Sequence, residues 1–357
     1  MSYRFPDTPS RPKPLSRRSF ASVAALVAAS VAVPTLLAQS RPEKTRVLIA
    51  VGGKSAFYCL PLTIADQLGY FKAEGLEIEI SDFASGTRAL QAALGGAADV
   101  VSGAFEHTIN LQSKNQFFQA FVLQGRAPQI AIGVSTRTMP GYKSLADLKG
   151  KKIGVTAPGS STSMVASMVL LRAAIKPDDV SFVSVGTTAG ALTAIRSGQV
   201  DAVSYTDPVM TLLEQKGEVK IVADTRTLKG TLDVFGGPMP AACLYAAAEF
   251  LEKNPNTAQA LANAIVHALK WLQTAGPGDI IKTVPEAYLL GDRGLYLASF
   301  NKVREAIALD GLIPEDGART ALRVMASFDP TVKVDRIAIA KTYTNEFARR
   351  AKVNFKA

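Results

Sequence analysis

The chain has 357 residues, and 48% of them are hydrophobic, enough to build the core of one large or two medium domains. Its formal charge is +10, and four of those units sit in the first forty residues. The rest is spread along the chain with no basic run interleaved with aromatics, which argues against nucleic acid as a partner. Two cysteines and two distant histidines leave no cluster with metal-ligand spacing, and neither metal nor cofactor is expected.

In chain order, Arg4, Arg11, Lys13, Arg17 and Arg18 stand against one acid, Asp7, and precede an Ala-rich apolar run at 20–38. A basic head, an apolar middle and a small-residue exit describe an export leader over residues 1–40, cleaved near Ala38 or Ser40. Ser16-Arg17-Arg18-Ser19-Phe20 resembles the twin-arginine export signal, a receptor-read address. The apolar run is marginal in length and poor in Leu and Ile for a membrane span. No Cys ends it, which argues against a lipid anchor. The remaining chain is expected in the periplasm. There Cys59 and Cys243 are free to pair or to stay as buried thiols, and sequence leaves that open.

Residues 46–51 read as a buried strand, 61–70 as a helix with Gly69 near its end, and 76–80 as an alternating strand. Residues 89–102 and 191–204 then echo each other at a constant offset. Ala89/Ala191, Leu90/Leu192, Ala92/Ala194, Gly96/Gly198, Asp99/Asp201, Val101/Val203 and Ser102/Ser204 coincide. Each copy reads as a short helix ending at a left-handed Gly, an Asp turn and an apolar strand. One unit used twice, a hundred residues apart, suggests two lobes built to one plan; Ala-rich coincidence is the alternative. Strands at 152–156 and 180–185 flank a helix at 161–175. Alternating strands and helices make the fold class α/β with mixed, mostly parallel sheets. The C-terminal third is helical at 246–275, 294–308 and 317–328, and is expected to pack onto one lobe as an extension. His267, inside the first of these helices, reads as packed or surface.

Pro61-Leu62-Thr63-Ile64-Ala65 with Gly69-Tyr70-Phe71-Lys72-Ala73-Glu74-Gly75-Leu76 resembles the opening of the nitrate/sulfonate/taurine class of ABC solute-binding proteins, also called the thiamine-pyrimidine-precursor synthase-like group. The run from Asp147 through Leu148, Lys149 and Gly150 to Val155, the two Gly-x-x-Asp units, and Phe250-Leu251-Glu252-Lys253-Asn254-Pro255 are similar too. The resemblance implies a two-lobed periplasmic-binding-protein fold. Lobe 1 would comprise residues 45–132 plus 236–357 and lobe 2 residues 133–235, with crossings near 130–134 and 235–241. It also implies a small solute, anionic or aromatic, in the cleft, an inner-membrane ABC permease as partner, and a monomer. The alternatives are a thiamine-precursor-type enzyme and a periplasmic sensor input on the same fold. An enzyme is not expected. Cys59 and Cys243 are isolated, no Gly-x-Ser-x-Gly elbow occurs, and Gly52-Gly53-Lys54-Ser55 has only the tail of a P-loop.

Candidate ligand-binding residues follow the strands to their carboxyl ends, where open α/β sheets bind ligands. After the first strand come Gly52 and Gly53, which allow close backbone approach or only make a turn, then Ser55, Phe57 and Tyr58. Ser85, Gly86 and Thr87 open a helix whose first N–H groups suit an anion. Phe105, Glu106 and Arg126 follow later strands. Gly159, Ser160, Ser161 and Thr162 open another helix, the strongest polar candidate, or are ordinary caps. Tyr205, Asp207 and Phe235 complete the set. The aromatics serve either cleft or core, and Arg126 either an anion or the surface. Glu106 and Asp207 argue against a purely positive cleft.

Overall fold

A computed structural model describes residues 1–3, 41–187 and 189–357. The leader reading falls on residues 4–40, outside the described residues. Residues 41–357 form one compact unit.

Ten strands, in chain order β1 (Arg46–Gly52), β2 (Glu77–Phe83), β3 (Val100–Ala104), β4 (Phe118–Leu123), β5 (Ile130–Ser135), β6 (Lys152–Val155), β7 (Ser181–Ser184), β8 (Ala202–Thr206), β9 (Val219–Asp224) and β10 (Ala242–Ala247), make two sheets among the described residues. The first has the order β2-β1-β3-β10-β4 and the second β7-β6-β8-β5-β9. In each, three strands run parallel and the fourth runs antiparallel to both its neighbours. The two sheets therefore share one plan, as the internal echo implies.

The echo can be followed to single atoms. Gly96 and Gly198 both sit at positive φ (76° and 78°), the left-handed turn that closes a helix and that a Cβ disfavours. Asp99 then accepts from the Leu48 N–H at 3.0 Å, and Asp201 accepts from the Lys152 N–H at 3.0 Å. In each copy the carboxylate ties the incoming strand to the edge-side strand it will pair with, β3 to β1 and β8 to β6. The strands then run almost wholly buried, each with a serine, Ser102 or Ser204, among its apolar residues.

Three elements differ from expectation for local reasons. The helix expected over 61–70 breaks at Leu60–Gln67, because Gly69 adopts φ 71° and starts a new turn at Tyr70–Ala73. The strand expected at 76–80 extends to Phe83, because it pairs residue for residue with all of β1. The crossing expected near 130–134 is β5 itself, a strand of the second sheet. The chain passes between the sheets at 124–129 and returns at 236–241. These two connections touch, with the Ala241 N–H donating to the Gly125 carbonyl at 2.9 Å.

The helical C-terminal third packs more widely than onto one lobe. Pro255–Thr274 lies against Leu60–Gln67 and Glu346–Phe355 beside the first sheet. His267 is sandwiched there between Tyr70 and Phe355, with ring centroids 3.7 and 4.7 Å away. Glu315–Phe328 instead touches helices of both halves, Glu106–Ser113 and Ser161–Leu171, and Arg293–Val303 reaches Val209–Gln215. Among the described residues no helix is long and apolar enough to cross a membrane.

Candidate functional site

The carboxyl ends of β1, β3 and β8, the residue after β6 and the start of antiparallel β5 meet at a small cavity of about 60 Å³. Its wall is Gly52, Ala56, Tyr58, Gly86, Ser102, Gly103, Ala104, Ile130, Thr156, Ser160, Ser161, Thr162 and Thr206. One side comes from the first sheet and the other from the second.

Two helices begin at this cavity. Gly86–Leu94 is capped by Ser85, whose hydroxyl accepts from the Arg88 N–H at 3.2 Å. Ser161–Leu171 starts after Ser160, which makes no side-chain cap bond. The first N–H groups of any helix lack internal partners and carry the positive end of its dipole. Two such ends at one cavity favour negative charge there. Gly52 explains how the first helix comes so close: a Cβ on it would stand 2.3 Å from the Gly86 nitrogen. Any side chain at position 52 would push the strand end and the helix apart.

The two halves are in contact across the cleft. Thr87 and Ser160 share a hydroxyl hydrogen bond at 3.0 Å, and the Phe57 N–H donates to the Asp207 carbonyl at 3.3 Å. The cavity is therefore pinched. At 10–15 Å³ or more per water it holds a few waters or one small head group.

No lysine or arginine lines it. Beside it are buried groups whose charge is suppressed. Burial pushes the Glu106 carboxyl up to about 6, although the Ser161 hydroxyl stands close and draws it down. Burial pushes the neighbouring His107 imidazole down to about 4. Its Nδ1 shares a 2.9 Å hydrogen bond with the Tyr245 hydroxyl. Burial, and then the Glu106 charge, raise the Tyr58 phenol well above its ordinary range. Neither the Tyr58 hydroxyl nor Glu106 Oε1 completes a hydrogen bond, an unusual state for buried polar atoms.

The structure brings together part of the residue set expected from sequence. Tyr58, Gly86, Ser160, Ser161 and Thr162 line the cavity, and Ser85 and Thr87 support it. Thr162 is partly committed, since its Oγ1 accepts from the Thr156 N–H at 3.0 Å. Glu106 stands behind Ser161, and Gly159 (φ 78°) turns the chain into the helix. Ser55 is half-buried in the loop after β1 and does not line the cavity.

Other candidates go elsewhere. Phe57 is core, its ring tilted at 41° against Tyr296 with centroids 4.5 Å apart. Phe105 is core against Tyr343, and Phe235 is buried at a helix end, its carbonyl accepting from Arg323. Tyr205 donates its hydroxyl to the Gly186 carbonyl at 2.8 Å and packs in the second half. Arg126 donates to the Glu305 carbonyl at 2.8 Å and lines a separate groove with Arg304. Asp207 is 1% exposed and binds the Thr211 N–H at 2.7 Å and Arg226 at 3.4 Å.

Arg226 was not legible as special. It is 2% exposed and reaches Asp207, Asp224 and Glu214 at once, while Glu214 also holds Lys302 at 2.6 Å. Burial opposes its charge, but Asp224, Asp207 and Glu214 outweigh that and raise its pKa. Ser102, Gly103 and Ala104 of β3 also line the cavity; in sequence Ser102 reads as the strand end, and Gly103 and Ala104 follow it without a polar side chain to mark a site. Cys59 and Cys243 are both free and buried, and burial raises both thiols, which removes them as nucleophiles.

Twin sheets with a hydroxyl-lined cavity at their facing carboxyl ends define the periplasmic-binding-protein class of fold. Residues 56–275 match the family described as "NMT1/THI5 like", and the chain belongs to that family. It is 58% identical to a structurally known protein of Bordetella bronchiseptica RB50, with a TM-score of 0.87 over 88% of this chain and 99% of that one. It is 26% identical to YtlA of Bacillus subtilis (strain 168), described as a binding protein, over 71% of this chain and 74% of that one. The alkanesulfonate-binding protein SsuA of Xanthomonas axonopodis pv. citri, bound to MOPS, shares the fold at 17% identity, with a TM-score of 0.63 over 85% and 99% of the two chains. The resemblance to the sulfonate and nitrate class of solute-binding proteins is thereby borne out.

Proposed function

We propose that this chain is the solute-capturing subunit of an ABC importer, binding a small oxyanion-bearing solute between two lobes and presenting it to a membrane permease. The observation that carries the reading is the convergence of two helix N-termini and a set of hydroxyls on one cavity between matching sheets. The absence of a lysine or arginine from that wall suits a singly charged head group, held by dipoles and hydroxyls. An aromatic body would lie against Tyr58. The family and the binding-protein relatives support capture over catalysis.

In this reading the boundary expected at 132/133 moves back to the start of β5, so that lobe 1 is residues 45–129 plus 236–357 and lobe 2 is residues 130–235. The paired connections at 124–129 and 236–241 act as the hinge, and the Thr87–Ser160 contact opens to admit ligand. The leader at 1–40 would take the protein to the periplasm, where it works as a monomer. The test uses methanesulfonate and nitrate as probes. Replacing Ser160 and Ser161 together by Ala is expected to weaken whichever probe binds by about tenfold, two lost hydrogen bonds of about 0.5–1.5 kcal/mol each. Calorimetry that gives an unchanged dissociation constant removes this loop from the site.

A further inference from the structure

A second cavity, about 210 Å³, lies on the other side of the same helix start. Ser160 and Ser161 face the first cavity, while Gly159 and Ser163 face the second. The partition between them includes Glu106 and His107. The His107 ring edge lies 3.4 Å from where a Cβ on Gly86 would stand, and Gly86 lines the first cavity.

The second cavity has a different chemistry. Glu106 and Asp329 contribute carboxylates, and no lysine or arginine lines it. Its apolar wall is Met164, Met325, Phe182 and Phe328, with both phenyl rings half-buried and so within reach of solvent. Asp329 is already engaged by Asn110 at 3.2 Å and Thr331 at 2.6 Å, so it supplies field more than a free acceptor. Glu106 is different. It is 3% exposed, lines the cavity, and its Oε1 has no hydrogen-bond partner. His107, 5% exposed, also leaves Nε2 without a completed bond beside the Gly159 backbone. A buried acceptor without a donor is costly, and a ligand N–H would relieve it.

We propose that this cavity is a second subsite, which takes a protonated amine carried on a small aromatic or apolar body, with the nitrogen donating to Glu106 and the body lying among the methionines and phenylalanines. An ammonium suits all three features. It donates to a carboxylate in a charge-assisted bond, it is attracted to ring faces, and methionine sulfur adapts to an aromatic body. The volume exceeds that of an engineered cavity of about 150 Å³ that holds benzene. None of the second cavity's lining residues lines the first, and the two sites meet where the Glu106 carboxyl stands against Ser161.

The test uses phenethylamine as probe and 2-phenylethanol as its neutral match, on the full-length protein carrying 13C-methyl methionine. Saturable shifts of the Met164 and Met325 methyl resonances are expected with the amine and at least tenfold weaker ones with the alcohol. Glu106→Gln, nearly the same shape, should weaken amine binding at least tenfold. Ser102→Ala, on the first cavity, should leave it within twofold, so a failure of the oxyanion reading leaves this result untouched. Equal binding of amine and alcohol, retention of amine affinity in Glu106→Gln, or no shift at either methionine overturns the subsite. Should Glu106→Gln fail to fold, Phe328→Ala takes its place. A several-fold loss supports the subsite and an unchanged affinity overturns it.

Discussion

Replacing Arg226 by Met is expected to cost about 3–5 kcal/mol of stability at neutral pH, the usual consequence of leaving a buried charge without its partner. The cost comes from Asp207. Its side chain is fully buried, while the Asp224 and Glu214 side chains are each 36% exposed and can be screened by water. Burial already raises the Asp207 carboxyl, and Arg226 is the charge that restrains it. Without the guanidinium the carboxyl would climb further and take up a proton more readily. Part of the lost stability should therefore return as pH falls. Adding Asp207→Asn to Arg226→Met should recover most of it, because a neutral side chain no longer needs a counter-charge. Urea unfolding of the two variants checks this. A single variant within 1 kcal/mol of the parent would show that the Arg226 cluster stabilises nothing net.

The pair Glu106 and His107 should give opposite pH responses. Glu106 titrates near 6 in the folded chain and near 4.5 unfolded. Its contribution to stability is full below about 4.5 and lost as pH rises through about 6, a difference of about 2 kcal/mol at 1.36 kcal/mol per pKa unit. His107 titrates near 4 folded and near 6.5 unfolded. Its contribution is full above about 6.5 and lost as pH falls through about 4, a difference of about 3 kcal/mol. Between pH 4.5 and 6 the two slopes oppose and the parent profile is nearly flat. Glu106→Gln removes the compensating term, so that variant should lose about 2 kcal/mol more than the parent on going from pH 7 to 4. His107→Gln keeps only the Glu106 contribution, so it should grow more stable by about 2 kcal/mol on going from pH 7 to 4, about 3 kcal/mol more favourable than the parent over the same range. Denaturant unfolding at pH 4, 5, 6 and 7 reads both. Parallel profiles for parent and variants would contradict the buried, charge-suppressed environment.

Much of the fold was legible because it rests on local rules. Gly96 and Gly198 announce left-handed turns, Asp99 and Asp201 announce the strand ties after them, and the repeated unit announces two matching sheets. Following strands to their carboxyl ends then found Tyr58, Gly86 and the Ser160–Ser161 loop. What failed depended on long-range packing. Phe57 meets Tyr296 and Arg126 meets Glu305, partners far along the chain in the C-terminal helical part, which alternation and turn chemistry cannot foresee. Arg226 reads as one more surface charge until Asp207, Glu214 and Asp224 are folded around it. At the end of β3, Gly103 and Ala104 carry no side-chain chemistry to mark them, and Ser102 reads as the last strand residue.

The central claim is capture of an oxyanion-bearing solute, and thermal unfolding of the purified protein against nitrate, taurine, methanesulfonate, MOPS, aromatic carboxylates and thiamine precursors tests it most directly. A ligand at a hundredfold excess over its dissociation constant should stabilise the fold by about 2.7 kcal/mol. The account predicts a clear rise in Tm with one anionic class and recovery of that compound unchanged. Stabilisation by none of the anions, or conversion of the compound that binds, would contradict it.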